Sequence, residues 1–425
     1  MTTEEHSSGT VPAEAGSVRR RRVFYLPGYD PIHPRRYREL YRKEGAAQAR
    51  ISGYGIALEP GGGGAGYGWR VRGDIEGAVT EAAFEVLVWS DIVRASMSSS
   101  IPATYGQLVR TAWIYIGSGA LWRLVRLRKG PMIAALYPVF FLLGQLALAL
   151  GAGLLAGLLL ARFASWALGL PGMVLVAVFG LRWFRRHDNR VFAWYLMHDF
   201  AHAAAGRGAY PPELEARLAE FRTRIREALD EPHDEVLVVG HSSGAHLAVS
   251  LLADLLREGL PGHRPALSLL TLGQVVPMIS FLPRAQRLRA DLCLMSAQRE
   301  VFWLDVTAPG DGCAFALCDP VAVSGVAPPS EKRWPLVISA AFTQTLSPER
   351  WRALRWRWFR LHFQYLCAFD RPGDYDYFRI TAGPQTLAQR FRGRAPSKSR
   401  IARAASGFTD CTPTEGGKVQ SISTR

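Results

Sequence analysis

The stretch Asp234-Glu-Val-Leu-Val-Val-Gly240-His-Ser242-Ser-Gly244-Ala-His-Leu-Ala248 decides how this chain folds. Its apolar run Val236–Val239 reads as a strand buried on both faces, because four large side chains in succession leave neither face for water. Ala245, Leu247, Ala248 and Leu251 then take up helical spacing, which places a helix over about Gly244–Leu256. Between the two lies Gly240-His-Ser-Ser-Gly244, a G-x-S-x-G. A serine on a strained bend between strand and helix needs glycine on both sides, since the two elements approach closely there. Its hydroxyl then stands clear of the backbone, and the helix N-terminus behind it favours developing negative charge. The pentapeptide alone is a weak signal. The strand before it and the helix after it separate it from an ordinary turn that happens to contain serine.

Further elements extend outward from this centre. Upstream, Arg22–Leu26 is a short β-rich run that stops at Pro27-Gly28, Tyr37–Arg50 reads as a helix, and Ile51–Leu58, Trp69–Arg72 and Ala83–Trp89 read as strands. The Gly61–Gly64 run lacks the lysine of a phosphate-binding loop and is expected to be a flexible turn. Pro212–Leu229 places Leu214, Leu218, Phe221, Ile225 and Leu229 on one helix face. Downstream, Leu267–Leu272 and Val301–Val306 are strands. Strands alternating with helices predict an α/β fold, a doubly wound and mostly parallel sheet covered on both faces.

The elbow in this setting resembles the lipase and esterase branch of the α/β-hydrolase superfamily. That resemblance implies a serine nucleophile, Ser242, followed in the chain by an acid and then a histidine. Of the histidines after Ser242, His246 lies one turn along the elbow helix and His263 in a loop before the next strand. Only His362 follows both a later strand and an acid. Asp311, in Pro309-Gly-Asp-Gly312 just past a strand end, is the expected acid, with Asp305 and Asp319 as alternatives. The resemblance gives one oxyanion donor to the Ser243 N–H and the other to Gly28 or Tyr29, although this chain has Pro27-Gly28 where the family has His-Gly. It implies acyl transfer with no cofactor and no metal.

A second theme is apolar. The chain of 425 residues is 48% hydrophobic with a net charge of +15. Gly130–Ala161 is 32 residues without a charge, and Phe163–Leu181 adds 19 more after Arg162. At ~1.5 Å per residue either can cross a hydrocarbon core of ~30 Å. A buried core hairpin is the competing reading, but buried helices are rarely so long and free of charge. Arg123, Arg126, Arg128 and Lys129 precede the first span. Arg182, Arg185, Arg186 and Arg190 follow the second. Trp122 and Trp183 stand at the expected interfaces. The bias of basic residues places both outer ends on the cytoplasmic side, which for a bacterial chain means the inner membrane. The expected division is a disordered terminus over 1–19, a hydrolase domain in two parts (20–103 and 191–392), an interfacial helix with a membrane hairpin over 104–190, and a disordered basic tail over 393–425.

Other motifs carry less. Trp351–Leu361 interleaves arginine with aromatics and reads as a helix at the membrane interface or an ordinary packed helix, ahead of a nucleic-acid surface, so no nucleic-acid partner is expected. His198 and His202 have metal-ligand spacing without an H-E-x-x-H and read as structural. Tyr375, Tyr377 and Phe378 either line a pocket near His362 or simply pack. Five cysteines at unpatterned spacing are expected to be reduced. The expected partners are the bilayer and a small-molecule or lipid ester. Three functions remain open from sequence: hydrolysis of an ester or thioester, acyl transfer to an alcohol, and a catalytically inactive scaffold tethered to the membrane.

Overall fold

In the computed structural model the described residues are 17–61, 66–97 and 100–412. The N-terminal residues 1–16, most of the Gly61–Gly64 turn and residues 413–425 lie outside them. Eight strands form one sheet: β1 (Arg20–Leu26), β2 (Gly55–Pro60), β3 (Tyr67–Ile75), β4 (Ala78–Val86), β5 (Glu235–His241), β6 (Ala266–Leu272), β7 (Val301–Thr307) and β8 (Leu336–Ser339). Their order is β2-β3-β4-β1-β5-β6-β7-β8. The six strands from β4 to β8 run parallel, and β2 and β3 add an antiparallel edge.

Central strand β5 is buried along its whole length, and its side chains serve the two faces alternately. Val236 and Val238 join a core with α6 (Pro212–Asp230), α7 (Gly244–Glu258) and α8 (Gln286–Ala297). Leu237 and Val239 join the opposite core, where Tyr37 and Tyr41 of α1 (Arg35–Ser52) pack with Tyr365 and Phe378. One strand feeding both layers is what an unbroken apolar run produces.

Between β4 and β5 the chain makes α2 (Ile101–Gly117), α3 (Lys129–Phe163), α4 (Trp166–Arg186) and α5 (Ala193–Ala205). Two of these, α3 and α4, are long and apolar enough to cross a membrane. They pack closely through small residues: a Cβ on Gly153 would lie 2.5 Å from the Met173 carbonyl, and one on Gly157 2.6 Å from that of Gly169. Backbones that approach this closely give the dispersion contact that joins helices in lipid. Away from that seam the side chains are bare. Phe163 is 77% exposed and Leu175 71%, which a core helix of a soluble protein does not tolerate.

Three sequence expectations need correction. The whole charge-free run 130–161 does not project. The lower part of α3 is docked on the domain: Tyr105 Oη donates to Leu142 O at 2.9 Å, Tyr137 Oη to Val191 O at 2.8 Å, and Trp194 Nε1 to Gln145 Oε1 at 3.0 Å. The 18 residues Leu146–Phe163 follow the last of these contacts, roughly 27 Å of helix. Docking on protein and spanning a membrane both call for apolar residues, so the sequence alone does not separate the two. Second, residues 393–412 are not a loose tail. Ser397 N–H donates to Val337 O at 2.9 Å, Ile401 N–H to Leu317 O at 2.7 Å, and Arg289 Nε to Asp410 O at 2.7 Å. Third, Ile51 and Ser52 end α1 instead of starting a strand. Gly53, with φ of 70°, turns the chain, and its N–H caps the Ala49 carbonyl at 2.9 Å, as a glycine after a helix does.

Candidate active site

Ser242 follows the last residue of β5 and sits two residues before Gly244 opens α7. Its φ is 58°, a left-handed conformation that costs a non-glycine residue about 1–3 kcal/mol and persists only where the surroundings impose it. They do so here. A Cβ on Gly240 would lie 2.6 Å from Gly244 O and 2.8 Å from Ala245 Cα, and one on Gly244 would lie 2.1 Å from Leu26 O. The Ser242 N–H is tied to Leu272 O at 2.9 Å. Both flanking glycines are therefore demanded by contact. Gly28 packs directly on the serine: a Cβ there would lie 2.9 Å from Ser242 Cβ and 3.3 Å from its Oγ.

The acid and the histidine meet at the same end of the sheet. Asp311 lies four residues beyond β7, in a turn closed by its own N–H on Ala308 O at 2.9 Å. His362 ends the short helix Trp358–His362. Its Nδ1 is 2.7 Å from Asp311 Oδ2, with both side chains nearly inaccessible. Asp311 also accepts from Tyr365 Oη at 3.0 Å and, on Oδ1, from the Cys313 N–H at 2.9 Å. Burial pushes the Asp311 carboxyl up, but the imidazole and these hydrogen bonds outweigh it and hold the group below the ordinary carboxylate range. The other ring nitrogen, His362 Nε2, is buried and makes no hydrogen bond.

Ser242 and His362 converge on adjacent residues at the end of β6. The serine N–H holds Leu272 O, while His362 Cε1 would lie 3.0 Å from a Cβ on Gly273. Both line one cavity of about 1590 Å³, together with Gly28, Tyr29 and Ser243. The Tyr29 and Ser243 N–H groups have no acceptor among the described residues. The structure thus brings together all six residues singled out from sequence.

The remaining candidates separate. Asp305 stays inside β7, bonded to Thr271 Oγ1 at 2.6 Å, and burial pushes its carboxyl up to about 8. Asp319 caps the short helix Pro320–Val323 and pairs with Lys332 at 2.6 Å. His246 lines the cavity but is held by Tyr210 Oη at 2.9 Å, and burial takes its imidazole down to about 3. His263 is exposed in a loop. His198 faces Gln107 at 2.9 Å and His202 lies against the rings of Tyr29 and Trp89, so the pair does not form a ligand set. Trp351–Leu361 is not one helix: it breaks into Pro348–Leu354 and Trp358–His362. Tyr375 and Tyr377 are buried packing residues, and the Tyr375 Oη supports Tyr365 O at 2.7 Å. All five cysteines are free.

Sequence reasoning missed three groups. The His241 ring lies tilted against that of His362, centroids 4.9 Å apart, and its Nε2 lies 3.0 Å from the His362 carbonyl. Burial, with His362 beside it, lowers its imidazole to about 3, so it is a neutral brace that donates through Nε2. Tyr365 and Asp199 are the others. Asp199 lines the cavity, and burial raises its carboxyl to about 7 against the opposing effect of His362. Nothing in their local sequence marks any of the three.

Asp311, Cys313 and His362 also place one possible ligand atom each within 4.8 Å of one another. The carboxylate and Nδ1 are already engaged with each other, and burial, reinforced by Asp311, pushes the Cys313 thiol up. A scan against protein-family models, a search of curated proteins and a search of solved structures found no match for this chain.

Proposed function

We propose that this chain is a membrane-anchored serine hydrolase of the α/β-hydrolase type, cleaving an ester or thioester through an acyl-enzyme on Ser242. One observation carries the reading: a serine strained to φ 58° shares a cavity with a histidine whose Nδ1 is 2.7 Å from a buried aspartate and whose Nε2 is uncommitted. Nucleophile, base and orienting acid stand in that order.

In the first step His362 Nε2 takes the Ser242 proton as Oγ attacks the carbonyl, and the carbonyl electrons move to oxygen. Asp311 keeps the imidazole in the tautomer with the proton on Nδ1 and stabilises the imidazolium. The Ser243 N–H and that of Tyr29 or Gly28 face the resulting oxyanion, and losing one such donor typically costs about 2.7–4 kcal/mol of barrier. Collapse breaks the bond to the leaving alcohol or thiol, which takes the proton from His362 Nε2. Water, deprotonated by His362, then attacks the acyl-enzyme and releases the acid. In the structure Nε2 is not yet bonded to Oγ. Such contacts often close only in the substrate complex.

The anchor follows from the bare apolar flanks of α3 and α4. Basic residues flank both outer ends, and Arg162 alone stands at the turn, so the catalytic domain faces the cytoplasm. The test is labelling by a fluorophosphonate probe. Wild type is expected to carry one adduct and Ser242→Ala none. An unlabelled but folded wild type would favour the scaffold reading.

A further inference from the structure

Two walls of the Ser242 cavity are not needed for acyl transfer. The first is the foot of α3, where Pro131, Ala134 and Tyr137 line the cavity. The same helix continues, without a break, into the exposed apolar hairpin. The second is the Trp356–Arg360 segment, which faces that foot: Tyr137 and Trp358 rings are 6.1 Å apart, and Phe359 packs 5.3 Å from Phe192. Trp356 beside them is 76% exposed. The cavity is therefore walled by the foot of a membrane-length helix and by aromatic side chains suited to a headgroup interface. At about 1590 Å³ it exceeds the ~300–1,000 Å³ usual for small-molecule sites.

Charge gives the second observation. Arg36 is paired with Asp30 at 2.9 Å, and Arg350 with Asp370 at 3.2 Å and Glu44 at 3.5 Å. Arg357 and Arg360 line the cavity, are exposed, and have no ion pair among the described residues. The cavity's carboxylates do not answer them. Asp30 and Glu44 are already paired, and Asp188 accepts the Trp194 and Tyr195 N–H groups at 3.0 and 3.1 Å. Asp199 lines the cavity but makes no ion pair with either arginine among the described residues.

We infer that the substrate is an anionic amphiphile taken from the adjoining lipid leaflet, with its acyl chain between the foot of α3 and Trp358–Phe359, its anionic head group on Arg357 and Arg360, and its carbonyl at Ser242. The inference rests on the hydrolase reading for the fate of the substrate, but its binding half is testable without turnover. Full-length Ser242→Ala protein in phosphatidylcholine nanodiscs is irradiated with phosphatidylglycerol or phosphatidylcholine carrying a diazirine in the acyl chain, and the adducts are mapped by mass spectrometry. Phosphatidylglycerol is expected to label the cavity stretches 131–137 and 192–203 at least tenfold more than phosphatidylcholine. Arg357→Glu with Arg360→Glu should lower that labelling by roughly thirty-fold or more at an unchanged melting temperature, since both side chains are exposed. Equal labelling by the two lipids, or labelling confined to the outer surface of the hairpin, overturns the inference. Full competition by an equal amount of a water-soluble anionic acyl thioester overturns the leaflet as source. Fluorophosphonate labelling of wild type is scored separately, so failure of the hydrolase reading is distinguishable from failure of this one.

Discussion

Replacing Gly28 with alanine tests the site with a single methyl group. The added Cβ would stand 2.9 Å from Ser242 Cβ, 3.3 Å from its Oγ and 3.3 Å from His241 O. Carbon atoms in contact ordinarily sit ~3.5–4.0 Å apart, so the serine must retreat by about 0.6–1 Å. It has little room to do so, because its N–H is held by Leu272 O and its flanking glycines are wedged against β1 and α7. A misplacement on the order of 1 Å costs about 10²-fold in rate, or about 2.7 kcal/mol of barrier. The assay is kcat/KM for p-nitrophenyl butyrate in detergent, with thermal unfolding in parallel. Gly28→Ala should lose about 100-fold while overpacking costs about 1–3 kcal/mol of stability. Gly106→Ala is the control, since a Cβ there meets nothing within 4 Å and alanine suits a helix interior. Gly28→Ala activity within about threefold of wild type, at an unchanged melting temperature, would refute the claim that the reaction is centred on the Ser242 hydroxyl.

Further predictions concern the residues around that hydroxyl. Asp311→Asn should lower kcat by about 10⁴-fold by reversing the imidazole tautomer. Because the folded Asp311 carboxyl is held low, its stabilisation is present above the unfolded value of ~3.9 and is lost as pH falls through the folded one. The melting-temperature gap between wild type and Asp311→Asn should therefore narrow below about pH 4. Asp199 behaves in the opposite sense. Raised to about 7, it binds a proton in the folded state that the unfolded chain lacks from about pH 4 upward. Stability thus falls with rising pH by at most ~1.4 kcal/mol per unit, less whatever cavity water screens, and Asp199→Asn should flatten that slope between pH 4 and 7 in thermal melts. Gly157→Leu, which drives a side chain into Gly169 O and Met173 Cβ, should separate α3 from α4. Cysteine pairs placed across that seam would then stop cross-linking, and unchanged cross-linking would contradict the packing.

Much of this site was legible in the sequence because its constraints are local. A strained serine between strand and helix forces Gly240 and Gly244, and those glycines are visible as letters. The doubly buried β5 is visible as an unbroken apolar run. Asp311 and His362 were reachable only through chain order in a resembling family. Their meeting depends on β7, β8 and the Trp351 ring, which a Cβ on Gly310 would meet at 2.6 Å, and no local pattern encodes that. His241, Tyr365 and Asp199 acquire their roles entirely from tertiary neighbours. β8, only four residues long, gives too short a pattern to read. The docking of the foot of α3 was not readable for a physical reason: packing on protein and crossing a membrane ask for the same side chains.

The central claim is that an acyl group passes through Ser242. It is tested most directly by mixing full-length protein with p-nitrophenyl butyrate, quenching with acid within the first turnover, and mapping the peptides by mass spectrometry. A butyryl group on Ser242, with one equivalent of nitrophenol released in the burst, is expected. Sustained hydrolysis with no acyl group at Ser242, or with the acyl group on another residue, would contradict it.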